Sequence, residues 1–372
     1  MRKRVLIIST KLAPFHAGDS IFSAGLIYRL KNDCDLTIVT LGDKTDFQNT
    51  EIFDGSKLFV HRRYSSLLNK ILKIIFTRSL KQDFHFGLKR FIKKIVNENS
   101  YDHIIIDHLR SFSVSKSILN ARANVIYMAH NNESLNIFEN WKFSKPSFLY
   151  RLLDKQILKY ERFLLARCNE LWTLTQDDYQ SLGSPEIKHQ IIHPYFPYKR
   201  VKEISDLKNS SFKLLFLGTL SWYPNTSGLI DFIKNAFPLV LKVYPNTLLQ
   251  VVGSNPPNEL YKYESSNVKI IGKVENVDSY IKNSDILIIP NRSGTGLKIK
   301  IMEAIIKGIP VIMFNENKVG YESNNFTYPF VVTNYEEFVK SILDLFEDYE
   351  SKKNFIELNR EILLNPPVIN LN

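Results

Sequence analysis

Residues 286–312 read ILIIPNRSGTGLKIKIMEAIIKGIPVI: an apolar run, a turn with two glycines and an amphipathic segment. A buried strand that leads through such a turn into a helix is the repeating unit of doubly wound α/β domains. Backbone N–H groups at the start of the helix bind phosphate oxygens, and Gly294 and Gly296 would let the chain approach a ligand closely. Lys298 and Lys300 fall in the first helical turn, where the helix dipole disfavours cations unless an anion compensates them. The segment therefore predicts a cradle for a diphosphate.

A second interpretation of this segment needs no ligand. Glu303 and Lys307 are four residues apart, which is the spacing of an ordinary surface ion pair on a helix. An amphipathic helix after a strand is also common in the absence of any binding site. Both interpretations stay open from these residues alone.

Apolar, β-branched runs alternate with longer amphipathic segments along the whole chain, which predicts parallel sheets covered by helices. The two series indicate two doubly wound domains. A proline-containing and then polar stretch at 193–212 predicts the boundary. We expect one domain over residues 1–200, a second over 201–350, and a tail over 351–372 that either packs back on the body or frays. The predicted strands are Val5–Thr10, Leu36–Leu41, Ile104–Asp107, Val125–Ala129 and Leu171–Leu174, then Leu214–Gly218, Leu248–Gly253, Val268–Gly272, Ile286–Pro290 and Val311–Phe314.

The composition is that of an ordinary globular protein. The 372 residues are 44% hydrophobic and 23% charged, enough for two domains of normal size. No run of eighteen apolar residues is present. The apolar run in the opening residues is too short for a signal peptide. Cys34 and Cys168 lack the spacing of metal ligands, so burial in a reducing environment is expected. The predicted location is the cytoplasm, with peripheral contact to the inner face of the plasma membrane left open.

The positive charge is concentrated in one stretch. The net charge is +11, and residues 57–94 contain eleven basic residues and one acid, Asp83. Apolar residues recur between these cations at helical spacing, which is typical of a helix that lies on an anionic membrane. A solvated cationic face over an ordinary core stripe fits the pattern as well. Nucleic acid is not expected as a partner, because no binding motif accompanies the charge. The apolar residues are Leu67, Leu68, Ile71, Leu72, Ile75 and Phe76.

The second half resembles a known family in an ordered set of motifs. They are LLFLGTLSWYPNTSGLIDFI (214–233), LLQVVGSNPP (248–257) and VKIIGKVENVDSYIKNSDILIIPNRSGTGLKIKIMEAIIKGIPVI (268–312). This order is similar to that of the donor-binding domain of GT-B glycosyltransferases of family GT4, the group 1 transferases. KLAPFHAGDS (11–20) and YMAHNNES (127–134) resemble that family's acceptor domain more loosely. The resemblance implies α/β domains of GT-B architecture, with two doubly wound, Rossmann-like domains facing across a cleft.

The resemblance also implies roles for individual residues at a nucleotide-sugar site. Lys300 would neutralise phosphate charge, and Glu303 would hydrogen-bond the ribose hydroxyls. Thr295 stands where many members have a first glutamate that contacts the sugar, and it can supply a hydrogen bond but no charge. The family's Arg and Lys pair after the first donor-domain strand is absent, and Arg292, Lys298 and Lys300 are the available substitutes. The remaining residues assigned to the donor are Gly218, Thr219, Asn225, Gly253, Gly272, Val274, Gly294 and Gly296.

His130 is the candidate site residue of the first half. It ends an apolar strand and precedes a polar run, so it should project at the carboxyl edge of the sheet, where ligands bind in doubly wound folds. We expect its ring to hydrogen-bond the transferred sugar. His16, Gly18 and Asp19 could face the acceptor, whereas packing explains the positions of other histidines, His103, His108 and His193, equally well.

The predicted function is therefore that of a retaining glycosyltransferase in bacterial surface-polysaccharide or lipid-linked oligosaccharide assembly. Its partners would be a nucleotide-sugar donor and a glycan or lipid-linked acceptor. No cofactor and no metal are expected, since no Asp-x-Asp follows a strand and Asp177-Asp178 has the position of a helix cap. Two alternatives stay open: a nucleotide-sugar epimerase of the same fold, and a non-catalytic scaffold for another transferase.

Overall fold

The computed structural model describes residues 2–12, 18–48, 51–77, 83–137, 148–196, 212–292, 297–318 and 330–371. The chain forms two compact units, Met1–Pro197 with Pro367–Asn372, and Tyr198–Pro366. Each unit contains its own parallel sheet with helices, so each is an α/β domain.

The first unit is built on a seven-stranded sheet with the strand order β3-β2-β1-β4-β5-β6-β7, in which every recorded pairing is parallel. Its strands are β1 Lys3–Ser9, β2 Cys34–Leu41, β3 Lys57–His61, β4 His103–Asp107, β5 Asn124–Ala129, β6 Glu170–Thr173 and β7 Lys188–Ile191. The α-helices whose bounds fall within its described residues are Gly18–Leu30, Ser66–Leu72, Phe86–Glu98, Phe112–Ser115, Phe148–Leu165 and Gln176–Ser181. The π-helical turn Lys73–Thr77 continues the second of these helices.

The second unit has a six-stranded parallel sheet with the order β10-β9-β8-β11-β12-β13. Its strands are β8 Lys213–Leu217, β9 Leu248–Val252, β10 Val268–Gly272, β11 Ile286–Ile289, β12 Val311–Phe314 and β13 Val331–Val332. Its α-helices are Tyr223–Asn235, Phe237–Val243, Asp278–Lys282, Ile299–Ile306, Tyr335–Glu347 and Tyr349–Leu364. Strands β8 and β11 are almost wholly apolar because helices cover both faces of a parallel sheet.

The strand order reverses once in each sheet. The reversal lies between β1 and β4 in the first unit and between β8 and β11 in the second. At such a point the loops after neighbouring strands run to opposite faces, which leaves a crevice at the carboxyl edge where ligands bind. Candidate functional residues are therefore expected directly after β1, β4, β8 and β11.

The predicted fold class is confirmed, and all ten predicted strands are present with small shifts at their ends. The sequence missed β3, β7 and β13. β7 is an edge strand of half-buried polar residues, and β13 has only two residues, so neither has a clear apolar alternation. β3 falls at the start of the cationic stretch 57–94, in which the only pattern recognised was the helical spacing of apolar residues between 67 and 76. The stretch begins with this strand, and the helices Ser66–Leu72 and Phe86–Glu98 follow.

The last residues divide between the two units. The helix Tyr349–Leu364, expected to belong to a tail over 351–372, lies in the second unit. Residues from Pro367 onward lie in the first unit, where the Arg29 guanidinium donates a hydrogen bond to the Pro367 carbonyl. Cys34 and Cys168 are buried free thiols. Of the helices in the described ranges, none is long and apolar enough to span a membrane.

Gly253 offers a direct test of the packing between β8 and β9. A Cβ at this position would lie 1.7 Å from the carbonyl oxygen of Gly218, a backbone atom that cannot move independently. Gly253→Ala should therefore destabilise the protein by about 1–3 kcal/mol, the usual cost of overpacking, in urea unfolding. Ser254→Ala should unfold like the wild type because a Cβ is already accommodated there. Equal stability of both variants would contradict the packing described.

Candidate functional site

The turn after β8 is held close to the turns after β9 and β10. The Gly218 N–H donates to the Val252 carbonyl at 3.1 Å, and the Gly253 N–H donates to the Gly272 carbonyl at 2.8 Å. Asn225, near the start of the next helix, donates from Nδ2 to the Thr219 carbonyl at 3.0 Å. Its buried Oδ1 has no hydrogen-bond partner among the described residues. The turn therefore has a fixed backbone, and beside it Asn225 Oδ1 can accept a hydrogen bond from a ligand.

Lys300 reaches this same turn from the helix Ile299–Ile306. Its Nζ donates to the Leu217 carbonyl at 2.7 Å and lies 5.3 Å from the centre of the Phe216 ring. A Cβ built on Gly218 would be 3.3 Å from that Nζ, so the glycine leaves room for the ammonium group. Burial, with a smaller contribution from Lys298, lowers the pKa of Lys300 to about 7. Among the described residues Lys300 has no ion pair, which is unusual for a cation at a helix start.

Glu303 lies in a buried cluster with Lys307. The Lys307 ammonium donates to the carboxylates of both Glu303 and Asp278, and Lys307 and Glu303 are both buried. The i, i+4 pair considered from the sequence is thus present, but it is an interior pair and not a surface one. A buried pair of this kind positions the Glu303 carboxylate, and it does not by itself decide whether that carboxylate also binds a ligand.

Arg292 is engaged by its own neighbours. Its guanidinium lies 3.7 Å from the centre of the Phe314 ring, pairs with Glu316 at 3.2 Å and donates to the Thr333 carbonyl at 2.9 Å. These contacts fix the arginine beside the end of β12, so Lys298 and Lys300 are the better candidates for phosphate charge. Gly272 has φ +77°, a conformation that favours glycine, and Val274 follows it half-buried. Gly294, Thr295 and Gly296 lie outside the described residues.

His130 follows β5 and forms a buried pair with Asp107 at the end of β4. Its Nε2 is 2.7 Å from Asp107 Oδ1, while Asp107 Oδ2 accepts hydrogen bonds from Ser9 and Ser23. Burial favours the neutral forms, but the mutual attraction outweighs it, so the pKa of His130 is raised and that of Asp107 is lowered. His130 is therefore suited to act as a charged hydrogen-bond donor and poorly suited to accept a proton.

A second histidine–carboxylate pair lies beside the first. His108, 5.2 Å from His130 between ring centres, places Nε2 at 3.0 Å from Glu133 Oε1 and 3.7 Å from Asp19 Oδ2. Lys11 also pairs with Asp19. His108 has φ +66°, an unfavourable conformation for a residue with a Cβ, and such strain is concentrated at functional sites. Packing and a site role explained His108 equally well from the sequence, and the structure places its ring in the polar cluster at the carboxyl edge.

The residues after His130 are held by a buried acid. Glu161, on the helix Phe148–Leu165, accepts hydrogen bonds from the backbone N–H groups of Glu133 and Ser134 and from the Ser134 hydroxyl. Burial raises the pKa of Glu161 to about 7 in spite of these bonds. Burial also opposes ionisation of Glu133, but His108 outweighs it and lowers the pKa of Glu133. Glu161 therefore positions the segment that carries Glu133.

Sequence reasoning found His130 but missed most of its partners. Asp107 ends a predicted strand next to a reversal of strand order, and that position could have identified it. The contacts of Glu133 with His108 and Glu161 join segments 25 and 28 residues apart in the chain, so no local pattern indicated them. His16 lies outside the described residues. Within the described ranges, no group of three or more His, Cys, Asp or Glu side chains has the arrangement of a metal site.

Comparison with known proteins defines the class first: the fold is that of GT-B proteins, two Rossmann-like domains in one chain. The Anabaena protein HepE, solved with UDP and glucose, has a TM-score of 0.64 at 13% identity over 97% of this chain and 95% of its own. Sucrose-phosphate synthase from Thermosynechococcus elongatus has a TM-score of 0.71 at 14% identity, covering 97% and 94%. An enzyme from Listeria monocytogenes described as a UDP-N-acetylglucosamine 2-epimerase gives 0.58 at 13% identity, covering 96% and 91%.

Residues 211–348 match the family described as Glycosyl transferases group 1. An uncharacterized 44.6 kDa protein in the cps region of Klebsiella pneumoniae is 24% identical over 96% of this chain and 99% of its own. An uncharacterized glycosyltransferase of Haemophilus influenzae is 24% identical over 71% and 72%. The resemblance to GT4-like GT-B glycosyltransferases is thereby confirmed, and these matches support a glycosyltransferase function.

Asp107→Asn tests the buried pair in the first unit. Removing one partner of a buried pair should destabilise the protein by about 3–5 kcal/mol in urea unfolding. Because the folded pKa of His130 is raised, its pairing stabilises fully below about pH 6.5 and is lost as the pH rises through the folded value. The variant should lower the pKa of His130 in histidine-selective NMR. The exposed Asp177→Asn is the control, and an unchanged His130 titration in Asp107→Asn would contradict the pairing.

Proposed function

We propose that this protein is a glycosyltransferase that binds a nucleotide-sugar donor at the reversal of strand order in its second unit. The observation that carries the proposal is Lys300, a cation with no ion pair among the described residues, held against the Gly218 turn. A diphosphate would supply the missing negative charge and would raise the pKa of Lys300, so that its side chain is a charged ammonium group. The match of residues 211–348 to the group 1 transferases supports the same assignment.

Transfer of the sugar leaves a nucleoside diphosphate, on which negative charge grows as the glycosidic bond breaks. A protonated Lys300 and the N–H groups at the start of its own helix are fixed in place before the reaction, so they stabilise that charge without reorganisation. Asn225 Oδ1 is placed to accept a hydrogen bond from the nucleotide sugar. Glu303 is proposed to bind the ribose hydroxyls, as the family resemblance implies.

The first unit supplies the acceptor side of the proposed reaction. A charged His130 uses Nε2 for Asp107 and leaves Nδ1 as the donor to a sugar hydroxyl. Asp19, Glu133 and His108 offer acceptors and donors for a hydroxylated acceptor, and carboxylates are common partners of sugar hydroxyl groups. Burial opposes the ionisation of Asp19, but His108 and Lys11 outweigh it, so its pKa is lowered and it stays charged.

The finer assignments extend this proposal. We propose transfer with retention, without a metal or a further cofactor, onto a glycan or lipid-linked acceptor in surface-polysaccharide assembly such as capsule, O-antigen, LPS or exopolysaccharide. The cps-region name of the Klebsiella pneumoniae relative supports this pathway. The proposed location is the cytoplasm, with peripheral contact to the membrane through residues 57–94.

A nucleotide-sugar epimerase is the main rival, because a protein described as an epimerase has a similar fold. The experiment is a thermal-shift panel of nucleoside diphosphates and nucleotide sugars, followed by product analysis with the donor alone. A ligand at a hundred times its Kd should stabilise the folded protein by about 2.7 kcal/mol. A changed sugar in the absence of acceptor would identify an epimerase. Absence of both binding and donor hydrolysis would indicate a non-catalytic scaffold.

The pH dependence of donor binding tests Lys300. Burial lowers its pKa to about 7, and a bound diphosphate should raise it. Below pH 7 Lys300 is already protonated in the free protein, whereas above pH 7 it must take up a proton when the donor binds. The affinity for the donor should therefore fall by up to about tenfold for each unit that the pH rises above 7. Calorimetry should be run with the nucleotide sugar found in the panel. Lys300→Met should remove the pH dependence, while the exposed Lys269→Met should keep it.

Glu303→Gln separates a ligand-binding role from a structural one. If Glu303 binds the ribose, the variant should lose about 1.5–3 kcal/mol of donor binding, the value of a hydrogen bond to a charged group. Lys307→Met removes the partner of Glu303 and should mainly lower stability in urea unfolding. Equal donor affinity in the wild type and Glu303→Gln would reduce Glu303 to the buried pair with Lys307.

A further inference from the structure

The helical segment Ser66–Thr77 exposes an unusual number of large apolar side chains. Six of them within ten residues are between 43% and 69% exposed, and we call them the apolar ridge. Single exposed apolar residues are normal on soluble proteins, but a contiguous group marks an interaction surface. The ridge consists of Leu67, Leu68, Ile71, Ile74, Ile75 and Phe76.

Polar contacts hold the other side of this segment against the protein. Lys73 is buried, and its Nζ lies 2.5 Å from Asp83 Oδ1, while Asp83 Oδ2 accepts from the Thr10 hydroxyl at 2.9 Å. The Tyr160 hydroxyl donates to the Thr77 carbonyl. The segment is thus the reverse of an ordinary amphipathic helix, with a lysine inside and the apolar side outside. Lys73 is part of this anchor and is not available to a partner.

An aromatic cluster joins the ridge to the next helix. Phe76 stacks on the buried Phe84, with ring centres 4.8 Å apart and planes at 8°, and also contacts Phe86 at 4.9 Å. Phe86 is itself exposed and begins the helix Phe86–Glu98. The ridge and this helix are therefore held together through packed aromatic rings.

Basic residues predominate in the sequence on both sides of the ridge. The described parts of 57–98 contain two acidic residues, Asp83 and Glu98. Asp83 is buried, so Glu98 is the only acidic side chain exposed in those parts. The helix Phe86–Glu98 buries Leu88, Ile92 and Ile95, which leaves its lysines and arginine on the outer side. The exposed cations nearest in sequence to the ridge are Arg62, Arg63, Lys70, Lys89, Arg90, Lys93 and Lys94.

We propose that the apolar ridge inserts into the headgroup region of an anionic phospholipid membrane. Apolar side chains flanked by cations are the combination that binds such a surface, because burial and electrostatic attraction act together. A second copy of this chain is the other occupant to consider. A two-fold symmetric interface would place the same patch on both sides, so the flanking cations would repel each other. The charge favours lipid.

The anchor relates this surface to the candidate site of the first unit. Thr10 follows β1, and its N–H donates to the Ser111 hydroxyl at 3.0 Å, which in turn donates to the Asp107 carbonyl at 2.8 Å. The ridge is thereby fixed to the same carboxyl edge as His130. A lipid-linked acceptor would present its head group at this edge, a step that rests on the proposed glycosyltransferase function.

Vesicle flotation of the full chain tests the insertion. The wild type should float with vesicles of 70% phosphatidylcholine and 30% phosphatidylglycerol, and much less with phosphatidylcholine alone. The variant Leu67→Ser, Ile71→Ser, Ile75→Ser should bind the anionic vesicles at least about tenfold more weakly, because apolar burial is lost. The matched control is Leu239→Ser, Val243→Ser, Leu358→Ser, three exposed apolar positions of the second unit, which should float like the wild type.

Salt and charge variants separate insertion from surface attraction. Lys89→Gln with Lys93→Gln should weaken binding about fivefold for each charge removed. Raising the salt from 0.1 to 0.5 M should weaken wild-type binding without abolishing it, since screening does not act on apolar burial. A dye attached to Ile75→Cys should shift to shorter wavelength with anionic vesicles, and a dye at Leu358→Cys should not shift.

Three results would overturn the proposal. The first is a wild type that does not float with anionic vesicles, and the second is a triple serine variant of the ridge that floats as well as the wild type. A concentration-dependent dimer in analytical ultracentrifugation that the same variant dissociates would assign the ridge to self-association. Donor binding in the thermal-shift panel is measured on the same variants. It should be unchanged throughout, so a failure of membrane binding and a failure of donor binding can be told apart.

Discussion

The reversal of strand order within each parallel sheet is the constraint on which the candidate sites depend. It separates the loops that follow two neighbouring strands and leaves polar backbone at the sheet edge without a covering helix. In the first unit the chain places the Asp107 carboxylate there, between the ends of β1 and β5. In the second it places the Gly218 turn and Lys300 there. The same topology thus creates two crevices with different charge.

The two crevices differ in how far their charges are neutralised by the protein. In the cluster of the first unit His108 pairs with Glu133 and His130 with Asp107. Lys11 pairs with Asp19, so the cluster is largely neutralised internally. In the second unit the Lys300 ammonium donates a hydrogen bond to a backbone carbonyl, and the nearby Lys298 further disfavours its positive charge. A charged ligand therefore gains more in the second unit, and a neutral hydroxylated ligand is better matched to the first.

The sequence alone predicted much of the fold because central strands of parallel sheets are continuous apolar runs. Val5–Thr10 and Ile286–Pro290 were recognisable for that reason. The edge strand β7 was not, since its residues are mostly polar and none of them is fully buried. His130 could be assigned to a candidate site because it follows a strand end, and Lys298 and Lys300 because they stand at the start of a predicted helix. The end of a predicted strand could have marked Asp107 as a candidate, but its pairing with His130 could not be predicted. Which strand ends and loops meet at a sheet edge depends on strand order, and strand order is a long-range property.

The return of the last residues to the first unit has a consequence for the connectivity of the chain. The second unit, Tyr198–Pro366, is an insertion within the first, and it is joined to it by two chain crossings and not by one. A single proteolytic cut near residue 198 would leave both units covalently linked through the other crossing. The Arg29 contact with the Pro367 carbonyl fastens the second crossing to the first unit. Loss of only the final few residues would turn a doubly tethered domain into a singly tethered one.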